Sequence, residues 1–319
     1  MLVPRKAIDD HDWILKHLEP LMSAGKKLAA EDPTLPVRDP KSYDPGYWTG
    51  LKLIALKYYI RPYLDILGQR EKVAYVDLFA GPGLNRIGDR RVELPGSPLI
   101  PIMIHEEQPG RSFSLYVFSE QNPSYCHALG VRARRLCPEG ARIEPPYEGD
   151  SNEYVSQLAG ILRDNDIGHS LVFVDPEGLQ WAWTSMERLI RTVPCDLIVN
   201  FPSSGFTRIS TKTDLETRKT IARFLGMPVD DLPAVVDEDW AIQRYRTMLG
   251  SLGKDISTEI KITDYGAFHY HLIPAVRKTH AGSPWFRALR ELKKRVDRLH
   301  GGLLGMVARQ VDGVVGTLT

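Results

Sequence analysis

The chain is poor in the features that define several large protein classes. It has only three cysteines, Cys126, Cys137 and Cys195, an odd number with no C-x-x-C pair. That pattern argues against a disulfide framework or a structural zinc site and leaves reduced, partly buried thiols. No apolar run approaches the roughly 18–20 residues that a membrane-crossing helix needs. The stretch M-L-V-P-R-K-A-I-D-D-H-D-W at the start lacks the apolar core of a secretory signal. A cytoplasmic protein without membrane contact is the expectation. Neither sign of charge dominates, because 41 Lys and Arg face 40 Asp and Glu for a formal net charge of +1. Bulk electrostatics therefore demands no polyanion, although a local basic face is compatible with it. Also missing are H-E-x-x-H, a Ser-His-Asp ordering, internal repeats and low-complexity tracts.

What is present is the texture of an α/β protein. With 319 residues, 43% of them hydrophobic, the chain can bury a sizeable core. Residues 8–31 carry helical periodicity through Trp13, Ile14, Leu18, Leu21 and Met22. Residues 32–47 are rich in Pro, Asp and Tyr and read as an irregular connection. A second helical pattern runs from Tyr47 to Leu67, with Pro62 expected to bend or restart it. From Glu71 short apolar strands alternate with helical stretches, which predicts a parallel sheet. Strands are expected at 73–79, 113–119, 141–146, 170–175 and 195–201, with helices at about 96–106, 122–136, 151–164 and 182–193. The region 205–251 reads as a polar helical insertion. Strands at 257–263 and 267–275, linked by Asp264-Tyr265-Gly266, then suggest an antiparallel hairpin. Residues 283–300 are amphipathic and basic, while the Gly-rich tail 301–319 adds a turn or frays. The resulting division is a helical extension at 1–70, a cofactor-binding core at 71–204, an insertion at 205–256, and a closing hairpin with a last helix at 257–319.

The stretch V-A-Y-V-D-L-F-A-G-P-G, Val73 to Gly83, joins an apolar strand, an acid and a Gly-x-Gly turn. That is how α/β domains open a nucleoside-cofactor site at the carboxyl end of their first strand. Arg86 stands where G-x-G-x-x-G needs its third glycine, and no Gly-Lys-Ser/Thr follows, so neither a dinucleotide fingerprint nor a P-loop is formed. The acid before two glycines suits S-adenosylmethionine. Asp77, Phe79, Ala80, Gly81 and Gly83 are its candidate contacts, since glycines let backbone approach a ligand closely. Glu120 and Gln121 end the second strand, where an acid can accept both ribose hydroxyls. Asp150 and Ser151 follow the third, where adenine contact competes with helix capping.

The fourth strand ends Val174-Asp175-Pro176-Glu177-Gly178. Amino methyltransferases of nucleic acids often carry D-P-P-Y or N-P-P-Y there, with the aromatic ring stacking on the base. Here that aromatic is missing, and Trp181 or Trp183 are candidates to replace it. Asp175 and Pro176, with Asn200 at the end of the fifth strand, are the candidate catalytic residues. Phe201 is expected to face the same cleft. Pro194-Cys195 begins a strand away from the cofactor end, so a catalytic thiol is not expected. His269 and His271 alternate on a strand and read as structural, and no metal is expected.

Taken together these motifs resemble the three-Cys-motif partner protein (TcmP) family, which has a class I methyltransferase-like fold. The resemblance covers about residues 48–275. It is carried by Trp48, Lys52, Leu53 and Tyr58-Tyr59, by Tyr75 to Gly83, by Gly96-Ser97-Pro98 and by Phe118-Ser-Glu120. It continues through Phe173-Val-Asp175-Pro176-x-Gly178, Asp196 to Pro202 and Tyr270-His271-Leu272. It implies a seven-stranded, mostly parallel, Rossmann-like α/β sheet with helices on both faces, and S-adenosylmethionine as cofactor. It also implies a separately encoded three-Cys-motif partner that binds an iron–sulfur cluster, and no settled acceptor. Two alternatives stay open. One is a non-catalytic scaffold for that partner. The other is a nucleic-acid-modifying or -binding protein using the cations of 287–298.

Overall fold

The computed structural model describes residues 9–39, 46–209, 214–255, 258–264, 269–277 and 284–313. Helices α1 (Asp10–Glu31) and α2 (Tyr47–Ile66) precede the sheet. Strand β1 (Val73–Asp77) leads into a hairpin of β2 (Leu84–Ile87) and β3 (Val92–Pro95). Then come α3 (Leu99–Glu107), β4 (Leu115–Glu120), α4 (Pro123–Leu136), β5 (Arg142–Ile143), β6 (Tyr147–Glu148) and α5 (Ser151–Asp164). They are followed by β7 (His169–Val174), α6 (Trp183–Thr192) and β8 (Cys195–Phe201). Helices α7 (Ser203–Ile209), α8 (Leu215–Phe224) and α9 (Glu238–Ser251) lead to β9 (Lys254–Asp255), β10 (Ile260–Thr263) and β11 (His269–Arg277). Helices α10 (Pro284–Val296) and α11 (Gly301–Val311) end the described chain.

The main sheet follows the order β10-β11-β8-β7-β1-β4-β5, with β6 added to β4 and β9 to β11. Strands β5, β4, β1, β7 and β8 are mutually parallel, and β11 runs antiparallel to both β8 and β10. This is the expected α/β architecture, the Rossmann-like class I methyltransferase arrangement. The chain winds outward from β1 through β4 and β5, then returns to β7 on the other side of β1. The carboxyl ends of β1, β4 and β7 therefore open on the crevice where the winding reverses, and ligands of such sheets bind there.

Every residue of β1, β7 and β8 is buried, as expected for strands covered on both faces. Alternation along each strand splits the core in two. Tyr75, Tyr116, Phe118 and Phe173 pack with α1, α2, α10 and α11 on one face. Ala74, Val76, Val117, Val172 and Val174 pack with α5, α6, α8 and α9 on the other. Side-chain caps set several helix starts. Asn122 accepts from the Ser124 and Tyr125 amides, and Asp150 accepts from the Asn152 amide. Among the described residues no helix is long and apolar enough to cross a membrane.

Several expectations are corrected. Helix α2 runs through Pro62 without a break, held by Tyr59, Ile60, Tyr63 and Leu64, all buried around it. The strand expected at 141–146 is reduced to Arg142–Ile143, with a second short pairing at Tyr147–Glu148, because Pro145 and Pro146 cannot donate to a ladder. The helix expected at 96–106 begins at Leu99, and the β2–β3 hairpin lies between β1 and that helix, where no strand was expected. The link Tyr265-Gly266 lies outside the described residues, although β10 and β11 pair antiparallel around it. On α10 and just beyond its end, Arg295 and Arg298 both donate to Asp10, Lys293 faces Asp297 and Lys294 faces Glu291. These cations are engaged with acids.

The tail is the largest departure. Gly301 to Val311 is helical and inserts Leu304, Val307 and Ala308 into the core beside α1 and α2. Gly50 and Gly305 permit this approach, since a Cβ on Gly50 would meet Leu304 at 2.9 Å and one on Gly305 would meet Tyr47 at 2.9 Å. Leu304→Ala is therefore expected to cost about 2–5 kcal/mol of stability by urea unfolding. A loss under about 0.5 kcal/mol would show that the helix is not docked.

Candidate functional site

The site begins where β1 ends. The Leu78 amide donates to Phe173 O at 3.2 Å and the Ala80 amide to Ser119 O at 3.0 Å, which carries the chain across the top of the sheet. Gly81 and Gly83 then adopt φ of +64° and +81°, a region that L side chains rarely enter. The space beside Gly81 is open, with nothing within 4 Å of where a Cβ would stand. Gly83 instead faces Leu99 and Leu129, which a Cβ would meet at 3.2 and 3.3 Å. Arg132, fully buried on α4, donates to Pro82 O at 2.6 Å and to Pro36 O at 2.9 Å. It joins the glycine turn to the segment between α1 and α2.

Two cavities flank this turn. The first, about 530 Å³, is lined by Phe79, Gly81, Glu120, Gln121, Asp150 and Ser151, among others. The second, about 620 Å³, is lined by Trp48, Lys52, Ala80, Pro176, Asn200 and Tyr270, among others. Arg38, Phe79, Asp175 and Glu177 line both. Both volumes fall in the range of small-molecule sites.

Glu120 is held by backbone. Its Oε2 accepts from the Gly81 amide at 2.8 Å and its Oε1 from the Asn122 amide at 2.7 Å. Each carboxylate oxygen keeps a further acceptor position. Asp150 accepts the Asn152 amide at 2.8 Å as an N-cap and still lines the first cavity. The Ser151 hydroxyl donates to Leu78 O and bonds Ser119 Oγ, so its side chain braces the wall.

Asp175 stands at the seam between the cavities. Its Oδ2 accepts from Lys52 Nζ at 2.6 Å and its Oδ1 from Asn200 Nδ2 at 2.6 Å. Lys52 also lies 5.6 Å from the centre of the Tyr270 ring. Arg38 reaches across the mouth to Glu177 at 2.5 Å. The ion pairs of Lys52 and Arg38 bring residues from outside the sheet into its functional edge.

Of the residues expected from the sequence, Phe79, Gly81, Glu120, Gln121, Asp150 and Ser151 meet at one cavity. Ala80, Pro176 and Asn200 meet at the other, and Asp175 belongs to both. Asp77 and Gly83 line neither. Asp77 is fully buried, with Oδ1 accepting from the Phe79 amide at 3.1 Å. Phe201 does not face the cleft. Strand alternation turns it to the opposite face, where it stacks on Phe206 with ring centres 5.1 Å apart. Trp181 and Trp183 do not supply an aromatic wall either, because both are buried in the core. The aromatic surface of the second cavity comes from Trp48, Phe79 and Tyr270. Trp48, Lys52 and Tyr270 were visible among the ordered motifs but carried no role there. Arg38 lies in a stretch that offers no periodic signal.

His269 bonds Glu238 at 2.7 Å and His271 bonds Ser203 at 2.7 Å. Among the described residues no group of three or more His, Cys, Asp or Glu is placed to hold a metal ion. Burial pushes the Cys195 thiol up to about 11, the opposite of an activated nucleophile.

No protein-family model and no curated protein matches this chain. Among solved structures it is similar to a Legionella pneumophila protein of family DUF519, at 14% identity over 80% of this chain and 94% of that one, TM-score 0.48. It is similar to Trm1 from Pyrococcus horikoshii, solved with S-adenosyl-L-methionine, at 10% identity over 81% of this chain and 61% of that one, TM-score 0.42. It is also similar to magnesium protoporphyrin IX methyltransferase from Synechocystis PCC 6803, solved with bound SAH, at 13% identity over 85% and 100%, TM-score 0.39.

Burial raises the Asp77 carboxyl from the ordinary 3.8 to about 7, against the opposing effects of Ser97 and the Phe79 amide. The folded protein thus keeps a proton that the unfolded chain releases near pH 4. Between those values the folded state binds more protons, so stability falls as pH rises and levels off above about pH 7. Asp77→Asn is expected to remove this slope. Relative to the wild type it gains on the order of a few kcal/mol between about pH 4 and about pH 8 in urea unfolding. A difference between the two that stayed constant over that range would refute the buried acid.

Proposed function

We propose that this protein is an S-adenosylmethionine-dependent methyltransferase. The first cavity holds the cofactor and the second holds the acceptor. The observation that carries this reading is the seam itself. Two ligand-sized cavities meet at Phe79 and Asp175, at the carboxyl ends of β1 and β7. A transfer reaction needs two reactants in contact across such a seam, with water excluded.

The residues of the first cavity fit the cofactor. The open side of Gly81 leaves room for close approach to backbone. Glu120, its two oxygens already oriented by amides, keeps acceptor positions for a pair of vicinal hydroxyls. Asp150 offers an acceptor at the far wall, and the cavity's carboxylates, Glu120, Asp150, Asp175 and Glu177, outnumber its guanidinium groups, Arg38 and Arg223, which suits a cationic ligand. When bound, the cofactor supplies an electrophilic methyl group on a sulfonium. The chain's own contribution is alignment: Phe79 and the Lys52–Asp175–Asn200 contact hold the boundary that both reactants must meet. Beyond this, the ordered motifs support a role beside a three-Cys-motif iron–sulfur protein. A tagged native complex is expected to bring that protein down in purification.

Isothermal calorimetry with S-adenosylhomocysteine is expected to show binding at one site per chain. Glu120→Gln keeps an acceptor for the Gly81 amide but removes the charge. It is expected to weaken binding by about 10–100-fold, the range for one hydrogen bond to a charged group. Absence of binding by the wild type would overturn the cofactor assignment.

A further inference from the structure

We infer that Arg38 and Glu177 form the subsite for the zwitterionic end of the cofactor. The guanidinium takes its α-carboxylate and the carboxylate takes its α-ammonium. This deepens the methyltransferase reading and rests on it. The inference starts from an acid that is out of reach. Asp77 ends β1 beside the glycine turn, yet it is fully buried and lines neither cavity. Its place in the sequence marks it as a cofactor contact, and its place in the fold denies it an ammonium group. Another carboxylate has to serve.

The charged groups of the first cavity divide by position. Glu120, Asp150 and Arg223 line that cavity alone, whereas Asp175, Glu177 and Arg38 line both cavities and so stand at the seam. A methyl group that crosses the seam requires its sulfur to stand there. The α-carbon of the cofactor is joined to that sulfur by only two methylene groups, so both charges of the amino-acid end fall beside the seam. Asp175 is already committed there, with Oδ2 held by Lys52 and Oδ1 by Asn200, each at 2.6 Å. The seam's other charges are Arg38 and Glu177, which face each other at 2.5 Å. An ion pair of this kind is the complement of a zwitterion, because each partner can exchange the other for a ligand group of the same sign. The guanidinium fork also matches a carboxylate with two parallel hydrogen bonds.

The pair is placed precisely but bound loosely. The Arg38 amide donates to Leu84 O and the Arg86 amide to Arg38 O, each at 2.9 Å, which fixes the Arg38 backbone along β2 just past Gly83. The side chains themselves are 39% and 68% exposed. An ion pair so hydrated contributes little to stability, so a ligand loses little by parting it.

The test titrates three ligands by calorimetry: S-adenosylhomocysteine, its decarboxylated analogue, which keeps the amine, and its deaminated analogue, which keeps the carboxylate. The wild type is expected to bind S-adenosylhomocysteine about tenfold or more tightly than either analogue, the effect of losing one charged hydrogen-bond partner. Arg38→Met is expected to weaken S-adenosylhomocysteine and the deaminated analogue by about tenfold and not to weaken the decarboxylated one. Glu177→Gln is expected to weaken S-adenosylhomocysteine and the decarboxylated analogue by about tenfold and not to weaken the deaminated one. A misfolded variant would lose all three ligands alike. Either variant that weakens all three equally, or none, overturns this inference and leaves the cofactor reading standing. Failure of S-adenosylhomocysteine to bind the wild type overturns both.

Discussion

The contact of Lys52, Asp175 and Asn200 is the constraint around which the site is organised. It joins three elements that are remote in sequence: helix α2, the end of β7 and the end of β8. Lys52 and Asp175 have side chains only 13% and 10% exposed, so neither charge is well hydrated alone. Removing one member of such a pair leaves an uncompensated charge, which makes the geometry strongly self-enforcing. The consequence is a fixed partition between two cavities. The carboxylate belongs to both, the lysine and the amide belong to one, and the orientation of the amide follows from the carboxylate.

A second tie serves the cofactor side. Arg132 has no surface exposure, yet it bonds carbonyls of Pro82 and Pro36. Buried cations of this kind persist only where carbonyl or carboxylate oxygens satisfy them. Through it the glycine turn is tied to the segment leading to Arg38. Arg38 then closes on Glu177 over the shared mouth. The helices and the connection that precede β1 are thus part of the wall of the site as well as a cover for the sheet. Helix α11 supports them from behind by packing against α2 and α1.

Much of this was legible along the chain. Fully apolar runs such as Val73 to Val76 and Leu171 to Val174 mark strands buried on both faces, because a sheet covered by helices needs apolar side chains in both directions. The acids Glu120, Asp150 and Asp175 stand just beyond such runs, and strand ends are where ligands of open sheets bind. Less legible was which side chain faces which way at the very end of a strand. Asn200 and Phe201 are adjacent, and a single step of the pleat sends one to the cavity and the other to the core. The Gly-rich tail misled for a related reason. Gly305 reads as a helix breaker until Tyr47 is found occupying the space its side chain would have taken.

What the amino-acid sequence determined by itself was local: strand and helix periodicity, the glycine turn at Gly81 and Gly83, and the acids at successive strand ends. These follow from the steric and hydrophobic preferences of neighbouring residues. What only the tertiary structure decided was pairing. Lys52 and Asp175 lie 123 positions apart, and Arg38 and Glu177 lie 139 apart. No local preference encodes such contacts, since they exist only once the helical layer has packed onto the sheet. That packing sealed Asp77 beneath the floor, committed Asp175 to a lysine and an amide, and left Asn200 Oδ1 without a donor among the described residues.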